Sequence, residues 1–136
     1  MYPPELVAPM KKELTDVGFE QLTTPDAVDK AITTEGTTLV IINSVCGCAA
    51  ANARPAAKIA ITNDKRPDRI TTVFAGVDPE AVAQARKYML PYPPSSPSMA
   101  LFQNGKLVHF IERHHIEGRS AEMIAENLAA AFNEFC

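Results

Sequence analysis

The sequence predicts an α/β fold of one domain over residues 1–136, in which a central mixed sheet is flanked by helices. Three observations indicate this class. Strand-like and helix-like segments alternate along most of the chain. The run Leu39–Ile42 is apolar at every position, which is typical of parallel strands covered on both faces. Asn104-Gly105 lies between two short apolar runs and predicts a β-hairpin, hence an antiparallel pair in the same sheet.

The segment before the first predicted strand contains two predicted helices. The first is an N-terminal helix over Glu5–Val17, and its apolar face consists of Leu6, Met10 and Leu14. The second spans Pro25–Ile32, because proline is favoured at the first helical position after an N-cap residue such as Thr24.

The middle of the chain predicts two strands, each followed by a helix. Strand Thr37–Asn43 leads into a helix from Ala49 to about Thr62, which Pro55 should kink because proline cannot donate a helical hydrogen bond. Strand Ile70–Ala75 leads into a helix over Asp78–Tyr88, whose first residue is a good N-cap.

The last third of the chain predicts the hairpin and a final helix. Residues 91–97 contain too many prolines for regular structure, and strands Ser98–Phe102 and Lys106–Ile111 follow. The last helix begins at Ser120. Its core-facing stripe is predicted to consist of Met123, Ile124, Leu128, Ala131 and Phe132.

Composition excludes several classes of function. The formal net charge is −3 and the pI is near 5.6, so neither a nucleic acid nor an anionic membrane is an expected partner. No apolar run approaches the ~20 residues of a membrane span, and the N-terminus lacks the apolar core of a signal peptide. We therefore expect a cytoplasmic protein, where disulfides are usually transient and catalytic.

The motif Cys46-Gly47-Cys48 connects the first strand to the following helix. A helix N-terminus favours negative charge, and the thiolate is the nucleophile in disulfide exchange. Cys46 comes first and is the predicted nucleophile, with a pKa below that of free cysteine. Cys48 is predicted to be more buried, less ionised and the resolving residue. Gly47 should allow close approach of a substrate and an unusual backbone conformation.

A disulfide between Cys46 and Cys48 would close a very short ring. Such a ring is expected to be strained and therefore more oxidising than a thioredoxin disulfide. This expectation favours removal of thiols or disulfide isomerisation over general disulfide reduction.

Other interpretations of the cysteines stay open at this point. They could be buried as small hydrophobic residues. Cys46 and Cys48 could instead be soft ligands of a metal or iron–sulfur carrier, although no zinc-like ligand spacing is recognisable. Further candidate ligands are His109, His114, His115 and Cys136. The terminal thiol of Cys136 could also have an auxiliary redox role.

The order of elements, the CGC motif, Pro55 and the Ser96-Pro97 pair before a strand together resemble the thioredoxin fold. Longer motifs are similar to the bacilliredoxin family over essentially the whole chain. They are NSVCGCAAANARPA (residues 43–56), PSSPSMALF (94–102), HFIERHHIEG (109–118) and the terminal Cys136. Val40 and Val45 stand where thioredoxins usually carry a buried acid and a tryptophan, so fast reduction of protein disulfides is not expected.

The resemblance implies a cytoplasmic thiol–disulfide oxidoreductase that needs no cofactor. Its members remove bacillithiol from S-thiolated proteins, with Cys46 attacking, Cys48 resolving and a weak disulfide-isomerase activity alongside. The implied partners are S-thiolated proteins, bacillithiol or another small thiol, and a recycling disulfide reductase. The resemblance also implies that Ser96-Pro97 is a cis bond facing Cys46, with free backbone groups at Ser96 for an extended substrate.

Overall fold

The computed structural model describes residues 2–136 and contains a five-stranded mixed sheet in the order β1-β3-β2-β4-β5. Its strands are β1 (Glu20–Gln21), β2 (Thr37–Asn43), β3 (Arg69–Phe74), β4 (Ser98–Gln103) and β5 (Lys106–Ile111). Strand β2 lies at the centre, parallel to β3 and antiparallel to β4. The CGC motif follows β2 directly, so the candidate site starts from the most buried strand of the sheet.

Within residues 2–136, five α-helices cover the two faces of the sheet. They are α1 (Pro4–Thr15), α2 (Pro25–Thr33), α3 (Arg54–Ala60), α4 (Pro79–Lys87) and α5 (Ala121–Phe135). Helices α1, α3 and α5 contribute to one apolar core, and α2 and α4 to the other. None of the helices within residues 2–136 has the length and apolar character that a membrane crossing requires.

Strand β2 explains the continuous apolar run in the sequence. Leu39 and Ile41 point into the core with α1, α3 and α5, whereas Val40 and Ile42 point into the core with α2 and α4. All four side chains are fully buried. Because side chains alternate across a strand, a strand that is covered on both faces needs apolar residues at consecutive positions.

The predicted fold class is confirmed, including the N-terminal helix and the hairpin. Asn104 and Gly105 both adopt positive φ, at 51° and 82°, which is the conformation that a two-residue turn of this type requires. Strand β1 was not predicted. It has only two residues, of which Glu20 pairs with Thr71, and two polar residues carry no periodic pattern.

The apolar face of α1 differs from the prediction. Val7 and Leu14 are the buried residues, while Leu6 is 45% exposed and Met10 is only partly buried. Val7 and Leu14 are two turns apart and therefore share one face of the helix. Leu6 lies about 100° away from Val7 around the helix axis, which turns it toward solvent.

The core-facing stripe of α5 is confirmed except at its first residue. Ile124, Leu128, Ala131 and Phe132 are buried, whereas Met123 is 56% exposed. The spacing from Ile124 to Leu128 and Ala131 follows one helical face, and Met123 lies outside it. Ala125 is buried in its place.

Pro55 acts differently from the predicted mid-helix kink. A π-helical turn over Ala49–Ala53 precedes α3, and Pro55 is the second residue of α3. The N–H of Arg54 donates to the carbonyl of Ala49, five residues earlier, as the wider π turn requires. This wide turn accommodates a proline, which has no N–H and whose ring crowds the preceding turn.

We predict that Leu128→Ala lowers the free energy of unfolding by about 2–5 kcal/mol, because it leaves a cavity in the core shared by α3 and α5. Met123→Ala is the matched control on the same helix and should change stability by less than about 0.5 kcal/mol. Urea denaturation of both variants measures the difference. Equal losses would contradict the orientation of α5.

Candidate active site

The two thiols lie at the end of β2, where the chain enters the π turn. The carbonyl of Cys46 accepts hydrogen bonds from Ala49 N at 2.9 Å and Ala50 N at 3.2 Å, so Cys46 stands at the start of this helical segment. Its own N–H donates to Ser44 Oγ at 3.2 Å. The sulfur atoms of Cys46 and Cys48 are 3.2 Å apart, and both cysteines are free thiols.

The sulfur of Cys46 has three hydrogen-bond donors around it. Cys48 N lies 3.4 Å from it, the Cys48 thiol lies at 3.2 Å, and Arg113 Nη2 lies at 3.2 Å. The hydrogen bonds from the Cys48 backbone and the Cys48 thiol, followed by the charge of Arg113, lower the pKa of Cys46 despite its partial burial. Cys46 is therefore the thiol that ionises first.

Cys48 has the opposite environment. Its hydrogen bond to Cys46, its partial burial and the negative charges of Cys46 and Glu117 raise the pKa of the Cys48 thiol. The sequence predicted that Cys48 would be more buried than Cys46, but both cysteines are half-buried. Burial therefore does not distinguish them. The two pKa values differ because the Cys48 N–H and thiol donate to the sulfur of Cys46 when it is ionised, which stabilises negative charge on Cys46 only.

Arg113 is the site residue that sequence reasoning missed. It lies in a 3₁₀ turn after β5 and makes four contacts. Its Nη2 contacts the sulfur of Cys46, and its Nη1 donates to the Ser96 carbonyl at 3.2 Å. Its backbone N–H donates to Ser95 Oγ at 3.4 Å, and its Nε donates to the Glu117 carboxylate. Cys46 is 67 positions away in the sequence. Only the fold brings them together, because β4 and β5 return the chain to the end of β2.

Ser96 and Pro97 lie at the predicted place, and the cis bond between them is confirmed. A second cis bond, Leu90-Pro91, was not predicted. Ser96 lines an open cleft of about 450 Å³ together with Cys46 and Arg113. The prediction that the backbone groups of Ser96 are free is wrong for its carbonyl, which accepts the hydrogen bond from Arg113.

Gly47 has an ordinary backbone conformation. Its φ is not in the left-handed region, and a Cβ placed on it would meet nothing within 4 Å. The predicted unusual conformation is therefore wrong. The exposed position between the two thiols remains open to an approaching molecule.

Another part of the cleft lining depends on a second glycine. Gly76 follows β3 with φ +84°, and a Cβ placed there would lie 2.8 Å from the ring of Tyr2. Both the backbone conformation and the contact with Tyr2 therefore require glycine at this position. Tyr2, Ala75 and Gly76 line the cleft together with Cys46.

A buried polar group lies beneath the cysteine loop. Arg54 is 3% exposed, and its Nη1 donates to Asn43 Oδ1 and to the Ser44 carbonyl, each at 3.0 Å. Its Nε pairs with Glu13 of α1.

Val40 is fully buried, and no aspartate or glutamate among residues 2–136 is buried. No buried carboxylate therefore lies in this part of the chain to accept a proton from the resolving thiol.

Cys136 is not part of this site. It is exposed, and the carbonyl of the preceding Phe135 accepts a hydrogen bond from Gln103, which pairs with Thr37 at the start of β2. Cys46 follows the end of the same strand. Seven residues of strand separate the two ends by roughly 20 Å, far beyond the Cα separation that a disulfide allows. Cys136 therefore does not reach Cys46 or Cys48 within one molecule of this structure, and its auxiliary role stays a prediction.

The candidate metal ligands do not gather around the thiols. Within residues 2–136, the one cluster of three candidate ligands consists of Glu112, His114 and His115, with all ligand atoms within 4.8 Å of one another. His109 instead hydrogen-bonds to Asn127 at 2.7 Å. The cluster includes neither cysteine of the CGC motif.

Comparison with known proteins gives close relatives over the full length. The sequence profile of the family described as Disulphide isomerase matches residues 2–136. A protein of Cytophaga hutchinsonii named bacilliredoxin is 58% identical, over 98% of this chain and 99% of that protein. A bacilliredoxin of Shouchella clausii is 56% identical, over 99% of this chain and 94% of that protein.

Solved structures support the same fold at much lower identity. The thioredoxin of Malassezia sympodialis superposes with a TM-score of 0.59 at 14% identity, covering 87% of this chain and 90% of that one. Oxidised mitochondrial thioredoxin 3 of Saccharomyces cerevisiae also gives 0.59 at 14% identity, covering 90% and 98%. The chain therefore has the thioredoxin fold that its sequence predicts.

We predict that Arg113→Gln raises the pKa of Cys46, because it removes the cation that lies 3.2 Å from the sulfur. Alkylation of Cys46 at pH 7 should become severalfold slower, and its midpoint should move to higher pH. Lys106→Gln is the control, since Lys106 is exposed at the opposite end of β5. Residue-resolved alkylation against pH measures both variants, and an unchanged profile in Arg113→Gln would contradict the assignment.

We predict that Gly47→Ala folds normally, with stability unchanged or raised by about 0.4–1 kcal/mol, because the added methyl group meets no neighbour. Reaction of Cys46 with a protein mixed disulfide should nevertheless slow several-fold through contact of the methyl group with the bulky reagent. Iodoacetamide, a small reagent, provides the comparison and should react at the wild-type rate. Equal rates with both reagents would show that Gly47 has no role in substrate approach.

Proposed function

The chain belongs to the Disulphide isomerase family, whose curated relatives are named bacilliredoxins, and we propose that it removes bacillithiol or a similar small thiol from S-thiolated proteins. It is a thiol–disulfide oxidoreductase with the thioredoxin fold. The observation that carries the proposal is the unequal pair of sulfurs 3.2 Å apart, of which Cys46 has the lowered pKa and Cys48 the raised pKa.

The first step is attack by Cys46. Its thiolate attacks the sulfur of the small thiol in the mixed disulfide, the old S–S bond breaks, and the target protein leaves as a thiolate. A new disulfide joins Cys46 to the small thiol, so the number of disulfide bonds is unchanged. Thiolate character and access determine the rate of such an exchange, and Cys46 has both at the open cleft.

The second step uses Cys48. After losing its proton it attacks the sulfur of Cys46, the small thiol leaves as a thiolate, and a Cys46–Cys48 disulfide forms. An external dithiol must then reduce this disulfide, which is why a recycling disulfide reductase is a proposed partner. Attack by a second protein thiol before Cys48 reacts would instead rearrange disulfides, which agrees with a weak isomerase activity.

The cleft supports a small-thiol substrate. Its volume of about 450 Å³ lies in the range of sites for small molecules, and Ser96, which precedes the cis-proline Pro97, lines it together with Cys46. We propose Ser96 and Pro97 as substrate-binding residues. The cytoplasm is the proposed location, because both free thiols must stay reduced between turnovers.

A metal or iron–sulfur carrier is the alternative function. It would use Cys46 and Cys48 as soft ligands, and the bound metal or cluster would need further ligands near these two thiols. Within residues 2–136 the three-ligand cluster of Glu112, His114 and His115 contains neither thiol, so no specific observation favours this alternative.

We predict that Cys48→Ser accumulates a stable mixed disulfide at Cys46, because the neighbouring attacking thiol is gone. Cys46→Ser should lose thiol transfer completely. Intact-mass analysis after exposure to a panel of small-thiol disulfides, bacillithiol disulfide among them, measures both outcomes and identifies the preferred thiol.

Cys136→Ser is the control for these variants and should behave as the wild type, since Cys136 follows Phe135, which lies beside the start of β2 and therefore far from Cys46. Transfer that persists in Cys46→Ser but stops in Cys48→Ser would reverse the two roles. Metal retained through purification and lost in Cys46→Ser would favour the carrier function instead.

A further inference from the structure

Three side chains able to bind a metal ion come together just after β5. They belong to Glu112, His114 and His115, and one ligand atom from each lies within 4.8 Å of the other two. The centroids of the two imidazole rings are 4.0 Å apart. None of the three residues lines the cleft that contains Cys46, and the proposed thiol exchange makes no use of them.

The carboxylate of Glu112 is largely withdrawn from water, and its pairing is weak. Its side chain is only 18% exposed. Within residues 2–136 its one salt-bridge partner is His114, whose Nε2 lies 3.8 Å from the carboxylate oxygen. That distance is too long for a hydrogen bond. Because a carboxylate removed from water is stabilised by a cation, Glu112 is well placed to act as a metal ligand.

The backbone that carries these ligands is held at both ends. Ile111 and Ile116, on either side of the segment, are fully buried. Between them the 3₁₀ turn Arg113–His115 is closed by the His115 N–H, which donates to the Glu112 carbonyl at 2.9 Å. A ligand set on a fixed turn loses little conformational entropy when it binds an ion.

The two imidazoles have the freedom that metal binding requires. His114 is 68% exposed and His115 is also exposed. In a tetrahedral zinc site, bonds of about 2.0–2.2 Å to nitrogen and oxygen place the ligand atoms roughly 3.3 Å apart. Rotation of the exposed rings can bring the three ligand atoms to that separation while the backbone stays in place.

The neighbouring arginines do not occupy the site. Arg113 directs its Nε to the Glu117 carboxylate, its Nη1 to the Ser96 carbonyl and its Nη2 to Cys46. Its charge is therefore balanced by Glu117. Arg119 donates to the backbone carbonyl of His115 at 3.4 Å and leaves the imidazole free.

We propose that Glu112, His114 and His115 bind one divalent transition-metal ion of the zinc type. Two imidazole nitrogens and one carboxylate oxygen suit such an ion, whereas magnesium and calcium prefer oxygen ligands. Three protein ligands leave a position for water or an external ligand. The inference does not depend on the proposed function, because the site includes none of the cysteines.

The position of the site in the chain has a structural consequence. A bound ion joins Glu112, the residue before Arg113, to the two histidines that follow Arg113. It therefore stabilises the turn that presents the guanidinium to Cys46.

The test measures zinc binding by the full chain carrying Cys46→Ser, Cys48→Ser and Cys136→Ser, because thiolates would otherwise compete for the ion. Circular dichroism first checks that this parent protein and each variant are folded. Isothermal titration with zinc chloride near neutral pH then gives the stoichiometry and the Kd.

We expect the parent protein to bind one zinc ion per chain. In that background His114→Ala and His115→Ala should each weaken binding roughly tenfold or more, since even the loss of an outer partner of a ligand has an effect of this size. Glu112→Gln keeps the size of the side chain, removes its charge and should weaken binding similarly.

His109→Ala is the matched control, because His109 hydrogen-bonds to Asn127 and lies outside the cluster. It should leave the Kd for zinc unchanged. An excess of magnesium chloride should not displace the bound zinc.

Several results would overturn the inference. The parent protein could bind no zinc, or His114→Ala and His115→Ala could bind it as tightly as the parent does. Equal weakening in His109→Ala would mean that the histidines act without the proposed geometry. Displacement of zinc by magnesium would indicate an oxygen-only site elsewhere on the surface. None of these results bears on thiol transfer, which is measured separately on the protein with its cysteines intact.

Discussion

The arrangement of the whole site depends on the buried guanidinium of Arg54. This group connects α1 through Glu13, the end of β2 through Asn43 and the start of the cysteine loop through the Ser44 carbonyl. A buried cation that lost these partners would cost several kcal/mol, so the contacts hold one another in place. Ser44 then accepts the hydrogen bond from the Cys46 N–H. The position of the nucleophile thus traces back to one residue of α3.

The two thiols differ because their surroundings differ, although their burial is the same. Backbone and side-chain donors gather around the sulfur of Cys46, and Cys48 is itself one of those donors. The charged groups Arg113 and Glu117 reinforce this difference from outside the core. A thioredoxin-type fold can therefore give two neighbouring thiols different pKa values without a buried acid, chiefly through hydrogen bonds to one sulfur and also through a cation beside it.

Local patterns in the sequence predict most strands, the helices and the position of the CGC motif, because hydrophobic periodicity, helix caps and turn residues act over a few positions. The run Leu39–Ile42 and the pair Asn104-Gly105 are examples. Local patterns do not predict the short strand β1 or the exposure of Met123, because pairing and packing with residues distant in the sequence determine them. The role of Arg113 could not be predicted for the same reason. Its contact with Cys46 depends on the hairpin that places it there, and no motif or spacing in the sequence indicates that contact.

The contact between Tyr2 and Gly76 has a practical consequence for anyone who prepares the protein. Tyr2 forms part of the cleft that contains Cys46, so an affinity tag fused ahead of it would stand at the mouth of the reactive site. The other terminus is held away from that site, where Gln103 Nε2 donates to the Phe135 carbonyl at 3.1 Å. A purification handle or fluorescent reporter attached after Cys136 therefore leaves the approach to the thiols unobstructed.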